Sequence, residues 1–89
     1  MAGENNLDVA VIVAEIVKWI ADKKPFGIVH KTAPVNYGGR PGLLVWDYIV
    51  WNELTFVDGE TKEKQSLFNS GDDKKTEAEF NRIVSQYGI

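Results

Sequence analysis

Polar residues interrupt the run Leu43–Val57 at only four positions, Asp47, Asn52, Glu53 and Thr55. Its residues are largely β-branched or aromatic, and alternate side chains of a strand point to opposite faces. The even positions, Leu44, Trp46, Tyr48, Val50, Asn52, Leu54 and Phe56, hold a single fully polar residue. The odd positions carry Asp47, Glu53 and Thr55 among their apolar residues. The pattern predicts one long strand over 43–57, with its even face in the core. The odd face is then partly wet while still presenting Leu43, Val45, Ile49 and Trp51. A helix over 43–54 is the competing reading, but it leaves no clean polar stripe.

Before this run, Leu7 to Asp22 has helical periodicity. Glu4, Asp8, Glu15, Lys18 and Asp22 fall within about 80° of one another at ~100° per residue. Val11 is the one apolar residue on that stripe, and the rest of the segment is apolar. Asn5 or Asn6 is the expected cap and Pro25 the stop. The apolar arc is wider than packing on one sheet requires. Its second side meets either the other helix and the loops, or another copy of the protein.

A first strand is expected over 26–32, with Phe26, Ile28 and His30 on one face and Gly27, Val29 and Lys31 on the other. The ten residues from Ala33 to Gly42 hold two prolines and three glycines and read as a loop. Asp58-Gly59 reads as a turn, Gly59 supplying a positive φ. A polar return strand over 62–68 then suits a sheet edge. The last element is a helix over 76–87. Phe80, Ile83, Val84 and Tyr87 make its apolar stripe, and Gly88 its C-terminal cap. Thr76 with Glu79 fits a capping box, and Asp72 or Asp73 is the alternative cap.

The expectation is therefore a single α+β domain of two layers, a three-stranded antiparallel sheet with both helices on its even face. That element order resembles the double-stranded-RNA-binding domain, and Gly71-Asp72-Asp73-Lys74-Lys75 resembles the basic start of that family's last helix. The likeness stops at element order and two lysines. The alanine-rich last helix, the basic cluster and the positive net charge of that family are missing.

At 89 residues, a domain buries only about 60–65% of its unfolded surface. With 44% hydrophobic residues the chain is not of the disordered class. It has no cysteine, so thiol chemistry and disulfides are out. The opening Met1–Asn6 lacks the positive segment of a secretory signal, and Glu15 and Lys18 interrupt the apolar run Val9–Ala21. A soluble cytoplasmic protein, with no membrane partner and no cofactor, is expected.

The net charge of −3 is unevenly spread. Lys23, Lys24, Lys31 and Arg40 stand in a stretch, 23–46, without an acid. These four, with Tyr37 beside Arg40 on the expected loop and Trp51 on the open sheet face, define a nucleic-acid-binding alternative. Its weakness is the acidic balance of the whole chain. An enzyme is the third reading. Asp72, Asp73 and Glu77 are carboxylates of the kind that hold Mg²⁺, but helix capping accounts for them equally well. Ser66, Ser70 and Ser85 have no base beside them, and a catalytic role for the single histidine, His30, lacks a partner.

The first reading is a small non-enzymatic interaction domain of adaptor, regulator or inhibitor type that associates with itself or with another protein. The expected contact residues are Trp51, Ile49 and Val45 on the open sheet face, with Tyr37 and Arg40 on the loop.

Overall fold

The computed structural model describes the backbone of residues 2–89 and the side-chain surroundings of residues 10–89. The elements run α1 (Ala2–Lys23), β1 (Ile28–Tyr37), β2 (Arg40–Tyr48), β3 (Asn52–Asp58), β4 (Lys64–Ser70) and α2 (Asp73–Tyr87). The strands form one antiparallel sheet in the order β1-β2-β3-β4. The α+β class holds. The sheet has four strands rather than three, which removes the element-order likeness to the double-stranded-RNA-binding domain.

The extra strand comes from the run 43–57, which is a hairpin and not one strand. Tyr48 pairs with Asn52, and Ile49-Val50-Trp51 is the three-residue connection between them. Folding there brings Leu43 beside Val57 and Trp46 beside Leu54. Both halves of the apolar run thus become central strands, buried on both faces.

The expected loop 33–42 is also regular structure. Tyr37 pairs with Arg40 across Gly38 and Gly39, whose φ angles are +61° and +78°. Two consecutive positive φ values make the turn that matches strand twist in two-residue hairpins, and glycine adopts them without strain. Pro34 is tolerated because β1 is an edge strand. Gly42 is needed for a different reason: a Cβ there would collide with Val57 O and the Phe56 ring.

The helices lie on opposite faces, so the fold has three layers rather than two. On the even face, α2 places Phe80 and Ile83 against Val35, Leu44, Trp46, Leu54 and Phe56. On the odd face, α1 places Ile16 on Leu43, Val45 and Val57, with Ile12, Val13, Trp19 and Ile20 around it. Leu43 and Val45 are therefore sealed, at 1% and 0% exposure. The odd face is not an open surface, and Val45 is removed as a contact residue. Burying an apolar residue such as Phe80 or Ile83 contributes about 1.5–3 kcal/mol, as an upper estimate.

The first helix starts at Ala2, so Asn5 and Asn6 fall inside it and do not cap it. The side chains of Glu4, Leu7, Asp8 and Val9 lie outside the described residues. The second helix starts at Asp73, capped by Asp72, whose carboxylate accepts from the N–H groups of Lys74 and Lys75 at 2.9 and 3.1 Å. Thr76 is buried and donates its hydroxyl to Asp72 O at 2.9 Å. Glu79 is paired with Arg82 instead of closing a capping box.

Two bulges re-aim the edge strands. One lies between Val29 and Lys31, and it puts both His30 and Lys31 on the even face. His30 stacks 4.3 Å from the Trp46 ring, and Lys31 Nζ sits 5.3 Å above the Phe80 ring. The strict alternation expected for 26–32 fails at that point. The second bulge, between Leu54 and Thr55 opposite Phe68 and Ser66, turns both Leu67 and Phe68 toward the α2 core.

The β3–β4 turn is built on Asp58. Its Oδ1 accepts from the N–H groups of Glu60 and Thr61 at 2.8 and 3.1 Å, and Oδ2 lies 3.5 Å from Arg40. Burial alone pushes this carboxyl up. The Thr61 and Glu60 hydrogen bonds and the charges of Arg40 and Lys62 outweigh it, and the group sits below its ordinary value of 3.8. The positive φ of this turn falls on Lys62, at +63°, and not on Gly59. Gly59 is required by space, since a Cβ there would meet the Ile12 side chain and Pro41 O.

Candidate functional site: an apolar ridge beside an aromatic cleft

The β2–β3 connection has no glycine, proline or aspartate. It exposes what it carries: Ile49 is 70% exposed, Val50 74% and Trp51 57%. Tyr48 opens the turn and is exposed too, where alternation had placed it in the core. Ile28 pairs with Tyr48 on the neighbouring strand and is also exposed. Gly27 lies against the same turn, since a Cβ there would strike Ile49 and, at 2.5 Å, Tyr48 O. Ile28, Tyr48, Ile49, Val50 and Trp51 thus form one ridge at one end of the sheet.

Beneath the ridge, on the even face, is a cleft of about 720 Å³ between the sheet and the first turns of α2. Ile28, His30, Trp46, Tyr48 and Asn52 line its sheet side, and Gly71, Asp73, Lys74 and Glu77 its helix side. A hydrogen-bonded chain, buried at Trp46 and Asn52 and running out to the exposed Asp73, forms its floor. Trp46 Nε1 donates to Asn52 Oδ1 at 2.9 Å, and Asn52 Nδ2 donates to Asp73 Oδ1 at 2.8 Å and to Ser70 O at 3.3 Å. One asparagine therefore ties β2, β3, the end of β4 and the start of α2 together. Such a chain strengthens when every member is satisfied.

The odd-face side of the ridge holds a buried carboxylate. Asp47 Oδ2 accepts from Gly27 N–H at 2.9 Å, while Oδ1 has no partner among the described residues. Its cross-strand neighbour Glu53 accepts from the Ser66 hydroxyl at 2.6 Å.

Of the expected contact residues, Trp51 and Ile49 are on the ridge. Tyr37 ends β1 and Arg40 starts β2, at the other end of that ten-residue hairpin arm and so roughly 30 Å away. Tyr37 is packed between Phe56 and Tyr87, with ring centroids at 5.4 and 4.9 Å. Arg40 is held by Asp58 and Gln65. The basic set Lys23, Lys24, Lys31, Arg40 and Tyr37 does not gather into one patch. Lys23 and Lys24 precede β1, Lys31 lies over Phe80, and Arg40 follows the far turn.

Of the expected carboxylate cluster, Asp72 caps α2 while Asp73 and Glu77 face the cleft. Among the described residues no group of three or more His, Asp or Glu side chains is arranged to hold a metal ion. No helix among them is long and apolar enough to cross a membrane.

Sequence reasoning grouped Asp73 with Glu77 but missed that they face Ile28 and Asn52 across a cleft, and missed Ile28 and Val50 as part of the ridge. The only cue to the ridge was the concentration of apolar residues in 48–51, and it reads equally well as strand interior. Comparison with protein-family models, curated proteins and solved structures finds no match for this chain.

Proposed function

We propose that this protein is a small non-enzymatic interaction domain that docks on a partner protein through the ridge Ile28, Tyr48, Ile49, Val50 and Trp51. The observation that carries this reading is the exposure of three consecutive large apolar residues, Ile49, Val50 and Trp51, at 70%, 74% and 57%. A tight turn needs none of them, and polar residues would solvate it better. Contiguous apolar surface on a small domain marks an interface more often than chance, and tryptophan is a frequent anchor of binding energy. The ridge sits on a four-stranded sheet backed on both faces, which limits the ordering cost of docking.

The test is site-specific photocrosslinking in the cells of origin. A benzophenone side chain replaces Val50 in one variant and Glu63, an exposed residue in the β3–β4 turn, in a control. A discrete adduct from position 50 alone is expected. An adduct at twice the 10.0 kDa chain mass identifies a second copy as the partner, and any other mass identifies a different protein. Equal or absent adducts at the two positions remove the reading.

A further inference from the structure

We infer that the cleft beneath the ridge receives an arginine side chain of a second protein, whose flanking apolar residues lie on the ridge. This rests on the interaction reading above and adds the chemistry of the partner.

Three features of the cleft select a guanidinium. The first is charge. Asp73 and Glu77 are one helical turn apart on α2 and both line the cleft, against a single lysine, Lys74. Glu77 makes no ion pair among the described residues. The nearby Lys31 is drawn over the Phe80 ring. The second feature is the wall opposite. His30 and Tyr48 offer accessible ring surface, Tyr48 being 44% exposed, and the buried Trp46 backs the His30 ring at 4.3 Å. A planar guanidinium stacks on such rings and is less strongly hydrated than an ammonium.

The third feature is preorganisation. Asn52 is buried and holds Asp73 Oδ1 at 2.8 Å, and Asn52 is itself held by Trp46. Asp73 Oδ2 is left to accept from a ligand without the side chain having to be ordered first. The fixed Asp73 and the neighbouring Glu77 together match the forked N–H groups of arginine better than the single point of a lysine. The cleft volume, about 720 Å³, exceeds one side chain and leaves room for the partner's backbone beside it.

The arginine comes from a different protein because this chain's own two are engaged. Arg40 is bound to Asp58 and Gln65. Arg82 is bound through two nitrogens to Glu79 and through a third to Gln86. A second copy therefore has no free guanidinium to offer.

The test is an amide-resolved NMR titration of the whole protein with three blocked tripeptides, Leu-Arg-Leu, Leu-Lys-Leu and Leu-citrulline-Leu. Citrulline keeps the shape of arginine and removes its charge. The arginine peptide is expected to shift the Trp46 indole N–H and the amides of Gly71, Lys74 and Glu77. The citrulline peptide should bind about tenfold more weakly and the lysine peptide in between. Glu77→Gln, on an exposed helix face, should weaken the arginine peptide about fivefold with an unchanged spectrum otherwise.

Equal binding of the arginine and citrulline peptides, shifts confined elsewhere, or no shift at about 5 mM peptide overturns the inference. Equal binding of arginine and lysine overturns the preference for a fork over a point charge. A crosslink at Val50 without arginine selectivity leaves the ridge standing and removes the arginine. Arginine-selective shifts without a crosslink keep the cleft and remove the ridge.

Discussion

Trp46 Nε1 and Asn52 Oδ1 are joined at 2.9 Å across the end of the β2–β3 hairpin, both buried at 4% exposure. The bond closes the hairpin just inside the exposed turn. Through the Asn52 amide it also anchors the start of α2 by way of Asp73. Among the described residues, the large apolar side chains most exposed to solvent thus stand beside a buried polar link.

Asn52→Ala leaves the indole N–H without its partner and releases Asp73 and Ser70 O. An unmade buried hydrogen bond costs about 1–3 kcal/mol. The variant should unfold at lower denaturant concentration by that amount, and the Trp46 indole proton should lose its protection from exchange. Asn52→Asp keeps the acceptor for Trp46 but sets a carboxylate against Asp73, so it should be no more stable than Asn52→Ala at neutral pH. Equilibrium urea unfolding of the three proteins decides it.

The two faces of α1 should respond oppositely. Ile16 is fully buried on Leu43, Val45 and Val57, and Ile16→Ala should cost about 2–5 kcal/mol. Val17, the next residue, is 52% exposed, and Val17→Ser should change stability by no more than about 0.5 kcal/mol. Equal losses in thermal unfolding would mean that α1 is seated differently on the sheet.

Trp51→Ala should leave stability within about 0.5 kcal/mol, since the residue is 57% exposed in a turn. Val45→Asp, predicted from alternation alone to be a surface change, should instead prevent folding by placing a charge under α1. Circular dichroism of the two variants separates the hairpin from a single open strand.

Glycines 38 and 42 have different jobs. Gly38 has open space around it among the described residues but a φ of +61°, so Gly38→Ala should cost about 1–2 kcal/mol of backbone strain. At Gly42 the obstacle is Val57 O and the Phe56 ring, and Gly42→Ala forces β2 and β3 apart at a cost of about 1–3 kcal/mol or more. Exchange protection at Val57 and Asp58 should fall in the second variant and persist in the first.

Asp58 makes stability depend on acid. Its carboxyl sits below the ordinary value, so the folded state favours the ionised form. The stabilisation is fully present above the ordinary, unfolded value of 3.8 and is lost as pH falls through the lower folded value. Asp58→Asn retains an acceptor for the turn N–H groups but does not titrate. Denaturant midpoints measured between about pH 6 and pH 2.5 should fall less steeply for the variant than for the wild-type chain.

Much of this was visible in the order of residues. Both helices cover the segments that periodicity marks, each starting earlier than expected, because an amphipathic stripe such as Phe80, Ile83, Val84 and Tyr87 records the face that needs cover but not where the helix begins. Asp72 was visible only as an alternative to a Thr76–Glu79 capping box, although a short carboxylate reaches the N–H groups two and three residues on.

What the residue order left open was which surfaces cover which. Tyr48-Ile49-Val50-Trp51 has no turn residue, so the hairpin there follows from the gain of burying Leu43 against Val57 and Trp46 against Leu54, a long-range term that no local pattern displays. The prolines and glycines of 33–42 looked like a break because their effect depends on position. At an edge, at a two-residue turn and at a close strand approach, they fit a sheet. The split of the helices across two faces was likewise decided only when the chain closed on itself, since Val45 and Trp51 have the same parity and only one of them lies under α1.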